Sequence, residues 1–173
     1  MPNLKRIAAD SVEFALNKAD HYRPLNEPLH AESICLDVLE VDSTNQRALI
    51  TLLLALTDQF SARMHETHHR AESILPRLNE PYDRHYYAGI IHERWAITQN
   101  DLGNATSSVP QWIAKAMQCY EQAEQLAGPE NPDPVLRWNT CSRLRDRIHI
   151  GENESATLTR DIHSEFGDDV PPQ

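Results

Sequence analysis

The stretch AESICLDVLEVDSTNQRALITLLLAL, residues 31 to 56, decides the fold. Its first four residues, AESI, recur at 71 to 74, a period of 40. After the first copy come Cys35 and Val38, and after the second Leu75 and Leu78. A third register appears as Ala116, Tyr120 and Ala123, followed by Leu126. A small residue, then a large one four later, then an apolar one three later is a single helical stripe written three times. Each stripe ends in a breaker: Asp42-Ser43-Thr44-Asn45, Asn79-Glu80-Pro81, and Gly128-Pro129-Glu130-Asn131-Pro132. After each breaker a new helical pattern starts. Helical units at this period, none able to bury its apolar face alone, are expected to stack on one another and share a core.

The periodicity predicts seven helices: 3–19, 27–41, 45–59, 66–78, 82–99, 109–127 and 133–149. The third is apolar nearly all round and should be the most buried. Sparse glycine, 5 in 173 residues, agrees with an all-α chain. A hydrophobic fraction of 40% and a charged fraction of 24% are ordinary for a globular domain.

On these residues the chain resembles the tetratricopeptide repeat family. Residues 31 to 56 run without gaps along that family's helix B, turn and next helix A, with Ala31 on the small residue where two helices cross. AMQCYEQAEQLAGPEN, residues 116 to 131, fits equally well, with Tyr120 and Ala123 in register. Ser43 stands where the family usually has proline, and the register of YDRHYYAGIIHERWAI, 82 to 97, is open. The resemblance implies an antiparallel helix-pair solenoid of about three repeats plus a capping helix, over residues 1–150. It implies a concave groove lined by the first helix of each pair, with Arg47, Ile50, Leu54 and Thr57 inward on the third helix and His85, Ala88, His92 and Trp95 on the fifth. Trp95, with Tyr86 and Tyr87, is the candidate anchor, since aromatic side chains carry much interface energy; packing between helices is the competing role for each. The Lys/Asn clamp with which family members grip acidic chaperone tails has no counterpart here.

The segment MHETHHR, 64 to 70, contains His65, Glu66 and His69 in the H-E-x-x-H pattern of zinc hydrolases. The repeat register makes SARMHE, 61 to 66, an insert at the turn between helices three and four, an exposed edge rather than the floor of a cleft. Arg63 and Arg70 flank the motif, and only Glu72 follows as a further ligand. A surface site on His65, His68, His69 and Glu72, with His21 brought near by stacking, is the weaker metal reading. The preferred reading is no metal and no cofactor.

The net charge of −10 and the pI near 5.3 disfavour nucleic acid. The basic run RLRDR, 143 to 147, reads as a solvated helix face. Cys35, Cys119 and Cys141 form no C-x-x-C pair and read as small buried hydrophobes of a reducing, cytoplasmic compartment. ALITLLLAL, 48 to 56, is too short to span a bilayer, and the N-terminus carries no signal peptide. Residues 151–173 form an acidic tail of six acids and one Arg. There Leu158, Ile162 and Phe166 could make one short helix. The expected function is a non-enzymatic adaptor holding a partner protein or peptide in its groove. The alternatives are a zinc-dependent hydrolase using residues 65–69 and a structural subunit of a larger complex, and self-association into a homo-oligomer stays open.

Overall fold

The computed structural model describes residues 4–103 and 108–148, without the side chains of 63–65. Every regular element among them is helical. A 3₁₀ turn, Ala9–Ser11, leads into α1, Val12–Tyr22. Then come α2, Pro28–Val41, α3, Gln46–Thr57, and α4, Phe60–Ile74, which a 3₁₀ turn, Leu75–Arg77, prolongs. Last are α5, Pro81–Asp101, α6, Ser108–Leu126, and α7, residues 133–148. No helix of the described residues is long and apolar enough to cross a membrane.

Local chemistry explains the helix ends. Pro28 and Pro81 open α2 and α5, where a missing N–H costs nothing and φ is preset. The Asn45 side chain accepts from the Ala48 N–H at 3.0 Å and caps α3. Asp42 closes the turn before it, accepting from the backbone N–H of Thr44 at 3.1 Å and from its hydroxyl at 2.9 Å. Asn26, with φ at 59°, turns the chain from α1 into α2; asparagine tolerates that left-handed conformation.

Each helix from α1 to α6 packs on the next, and α3 also touches α1 and α5. As expected, α3 is the most enclosed: Ala48, Leu49, Thr51, Leu52, Leu53, Ala55, Leu56 and Thr57 are all buried. The repeated small residues Ala31 and Ala71, and Ala116 in the third register, are fully buried, as are Cys35, Val38, Tyr120 and Ala123. One core gathers around Leu49, Leu53, Leu56 and Phe60, with Ile91 and Trp95 across from them. A second joins Ile90, Val109, Ile113 and Tyr120 to Cys141 of α7. Tyr120 lies flat against Gly89: a Cβ there would meet the ring at 2.5 Å, so only glycine permits this approach of α5 to α6.

Two boundaries depart from expectation. Helix 1 begins not at residue 3 but after a stretch at 4–8 that is not helical, and it runs on to Tyr22. The departure has packing causes. Ile7 packs on Leu16, Val38 and Ala48 from outside the helix, and Tyr22 packs on the first core and stacks on His30 at 5.3 Å. The second correction matters more. Residues 61–66 are not an insert at a turn; α4 starts at Phe60, and SARMHE forms its first turns. Phe60 is fully buried and packs edge-on against Trp95 at 5.6 Å, anchoring the helix six residues early. The acidic tail, with Leu158, Ile162 and Phe166, lies outside the described residues.

Candidate functional site

Two stripes of side chains separate on the odd-numbered helices. On α3, Arg47, Thr51, Leu54 and Asp58 follow one face and its C-cap. Arg47 faces α1: its guanidinium reaches Glu13 at 2.9 Å, Asn17 at 2.6 Å and Asp20 at 2.7 Å. The Thr51 hydroxyl donates to Asp20 at 3.0 Å. At the other end Asp58 accepts from Arg23 at 2.8 Å and pairs with Arg94 of α5. Arg94 also donates to the Thr57 hydroxyl at 2.6 Å. Leu54 and Ile50 are half-buried. Arg47 is therefore no free cation; α1 carboxylates already hold it.

On α5 the positions expected to line a groove divide. His85, Ala88 and His92 are half-buried, but Trp95 is only 7% exposed and belongs to the first core. Tyr87 and Arg94, both half-buried, also lie toward α3. Burial pushes the Tyr87 hydroxyl up to about 12, with Asp83 adding to the effect. The sequence named Tyr87 only as a companion of Trp95 and missed Arg94, whose seven-residue spacing from Tyr87 on one helix was the available signal.

The lower half of the α5 stripe faces α4 instead. His68 of α4 packs on Trp95 at 4.1 Å between ring centres, on Phe60 at 5.7 Å and on Trp112 of α6 at 5.8 Å. His92 packs on Trp112 at 5.3 Å, and Lys115 sits 4.2 Å from the centre of that ring. His68 Nδ1 lies 3.5 Å from Glu72, one turn on. One ligand atom from each of His68, Glu72 and His92 falls within 4.8 Å of the others. His92 Nδ1 is buried and has no hydrogen-bond partner among the described residues. Burial drives the His92 imidazole down to about 4, and the nearby charges of Lys115 and His68 push the same way.

The remaining metal candidates scatter. His69 and Glu66 are exposed, and Glu66 lies 3.7 Å from Arg70. His21 is exposed on α1. The side chain of His65 lies outside the described residues. Of the four histidine and glutamate candidates on α4, the structure brings His68 and Glu72 together, and their partner is His92, placed by the sequence in the groove.

A buried polar node lies on the far side of α5. Glu93 is 3% exposed, accepts from the Tyr120 hydroxyl at 2.5 Å and pairs with Arg137 of α7 at 3.2 Å. On α2, Glu32 is 7% exposed and is held by Arg70 at 2.5 Å and Gln59 at 2.7 Å. The Glu93 node joins α5, α6 and α7, and the Glu32 node joins α2, α4 and the connection before α4. No protein-family profile, curated protein or solved structure matches this chain.

Proposed function

We propose that this chain is a tetratricopeptide-like helical-repeat module that binds a partner protein or peptide, with no covalent chemistry of its own. The observation that carries the reading is the repetition of contacts at both ends of the helix pairs. At one end the α2–α3 turn is tied to the α4–α5 turn. The Asn79 N–H donates to the Gln46 side chain at 2.8 Å, and Arg77 donates to the Ser43 carbonyl at 2.9 Å. At the other end the α1–α2 turn is tied to the α3–α4 connection by Arg23 and Asp58. The contacts of α3 with α1 and α5 support a stack of antiparallel pairs with their first helices side by side.

Such a stack presents the surface of α1, α3 and α5 as a preformed groove, at little ordering cost to the module. The groove combines half-buried Ile50, Leu54 and Tyr87 with the charged pairs of Arg47 and Arg94. The net charge of −10 favours a neutral or basic partner segment.

Two readings remain behind this one. A structural subunit would use the same surface permanently, and the mass of the purified chain in solution separates it from a free adaptor. For a zinc hydrolase on 65–69, the exposure of Glu66 and His69 offers no enclosed floor for substrate. The test is co-purification from a native lysate with quantitative mass spectrometry. Wild type is compared with Leu54→Asp and with Leu126→Asp, the latter on an exposed residue of α6. A near-stoichiometric partner lost only with Leu54→Asp supports the groove. A partner lost only with Leu126→Asp moves the surface elsewhere, and a partner lost with neither rejects the groove.

A further inference from the structure

We propose that His68, Glu72 and His92 form an interhelical site for one divalent first-row transition metal ion, with Zn²⁺ as the reference occupant. The proposal is independent of the groove reading. Three features carry it. The first is convergence: donors from two helices, 20 and 24 residues apart from the nearest and farthest partner, bring their ligand atoms within 4.8 Å. His68 and Glu72 sit at i and i+4 of α4, and His92 approaches from α5. The second is the orphaned Nδ1 of His92, buried with no hydrogen-bond partner among the described residues. A buried polar atom without a partner is costly, and a bound cation would satisfy it. The third is the wall. Trp95 and Trp112 close over the two imidazoles, while Glu72, with its side chain 40% exposed, leaves one side open for an ion to enter.

The donor set selects the metal. Two imidazoles and one carboxylate suit Zn²⁺, Co²⁺ or Ni²⁺, whereas Ca²⁺ and Mg²⁺ need all-oxygen shells. Both histidines must be neutral to coordinate. Tetrahedral Zn²⁺ with bonds of about 2.0–2.2 Å holds its ligand atoms about 3.4 Å apart. His68 Nδ1 and Glu72 already stand 3.5 Å apart, so only a modest closing movement toward His92 is needed. Three protein ligands leave a fourth position for water or for a side chain of another molecule. The ion would staple α4 to α5.

The test uses the full chain without a polyhistidine tag, stripped with chelator and titrated with Zn²⁺ by calorimetry. Co²⁺ is followed in parallel by visible absorption and tryptophan fluorescence. The expected result is one ion per chain, quenched tryptophan emission with Co²⁺, and a raised melting temperature with Zn²⁺. His92→Ala and Glu72→Gln should each weaken binding by roughly tenfold or more. His69→Ala, on the exposed face of the same helix, should leave it within about twofold. Should His92→Ala fail to fold, Glu72→Gln decides alone, because its half-exposed side chain supports no core. Absence of binding overturns the site. Binding that ignores both Glu72→Gln and His92→Ala, or that is lost with His69→Ala, overturns it equally by putting the ion on the exposed histidines.

Discussion

Replacing Gly89 with alanine tests the packing of α5 on α6 at its tightest point. In an exposed helix interior this change stabilises by about 1 kcal/mol through backbone propensity. Here the added Cβ would stand 2.5 Å from Tyr120 Cε1 and 2.8 Å from Cδ1 and Cζ. The ring has nowhere to go, for Tyr120 is fully buried and its hydroxyl is bound to Glu93. Overpacking costs about 1–3 kcal/mol. A ring displaced from Glu93 loses a buried charge-assisted hydrogen bond worth about 1–3 kcal/mol more. Against the propensity gain, the net loss centres on about 3 kcal/mol, which lowers Tm by about 6–12 °C in a chain of this size. Urea and thermal unfolding followed by far-ultraviolet circular dichroism read it directly. A double-mutant cycle sharpens the attribution. Tyr120→Leu removes the ring, so Gly89→Ala on that background should cost at least about 1 kcal/mol less than on wild type. If Gly89→Ala is neutral or stabilising, the wedge of Tyr120 against α5 does not exist.

Three further outcomes follow from the buried nodes and thiols. Arg70→Ala leaves Glu32 buried with only Gln59 as a donor and should cost about 2–4 kcal/mol in urea unfolding, while Arg70→Lys recovers part of it. Arg137→Ala strips Glu93 of its cation, though the Tyr120 hydroxyl remains. A loss of about 1–3 kcal/mol is expected, with earlier proteolysis within α7, and an unchanged urea midpoint would show that α7 does not depend on this pair. Burial pushes the Cys35 and Cys141 thiols up to about 12, and it raises Cys119 as well. Under native conditions at pH 8, alkylation counted by mass spectrometry should modify half-buried Cys119 first and spare the other two until the chain unfolds.

The all-helical architecture was legible because its signal is local. Ala31, Cys35 and Val38 repeat in type at Ala71 and Ala116, and burial of that stripe follows from spacing alone. The breakers at Asp42-Asn45 and Pro81 mark turns through their own side-chain chemistry, so those boundaries agreed. The start of α4 was hidden because its first turns are polar and only Phe60 holds them to the core. The candidate site was the least legible part. Which histidine of α4 meets which histidine of α5 depends on how α5 is rotated, and the register of that helix was open. The rotation that buries Trp95 on Phe60 also brings His92 toward His68.

The central position of α3 has a consequence for how the chain opens and closes. It touches α1, α2, α4 and α5, whereas the main contacts of α1 are with α2, α3 and its own leading turn. Disorder should therefore enter from the ends and stop at α3. Amide protons of Leu49, Leu52, Leu53 and Leu56 would be the last to exchange with deuterium, and those of α1 among the first. Folding in reverse would begin there too: α3 with a neighbour is the smallest unit holding several fully buried leucines. Because its contacts are close in sequence, that seed should form quickly.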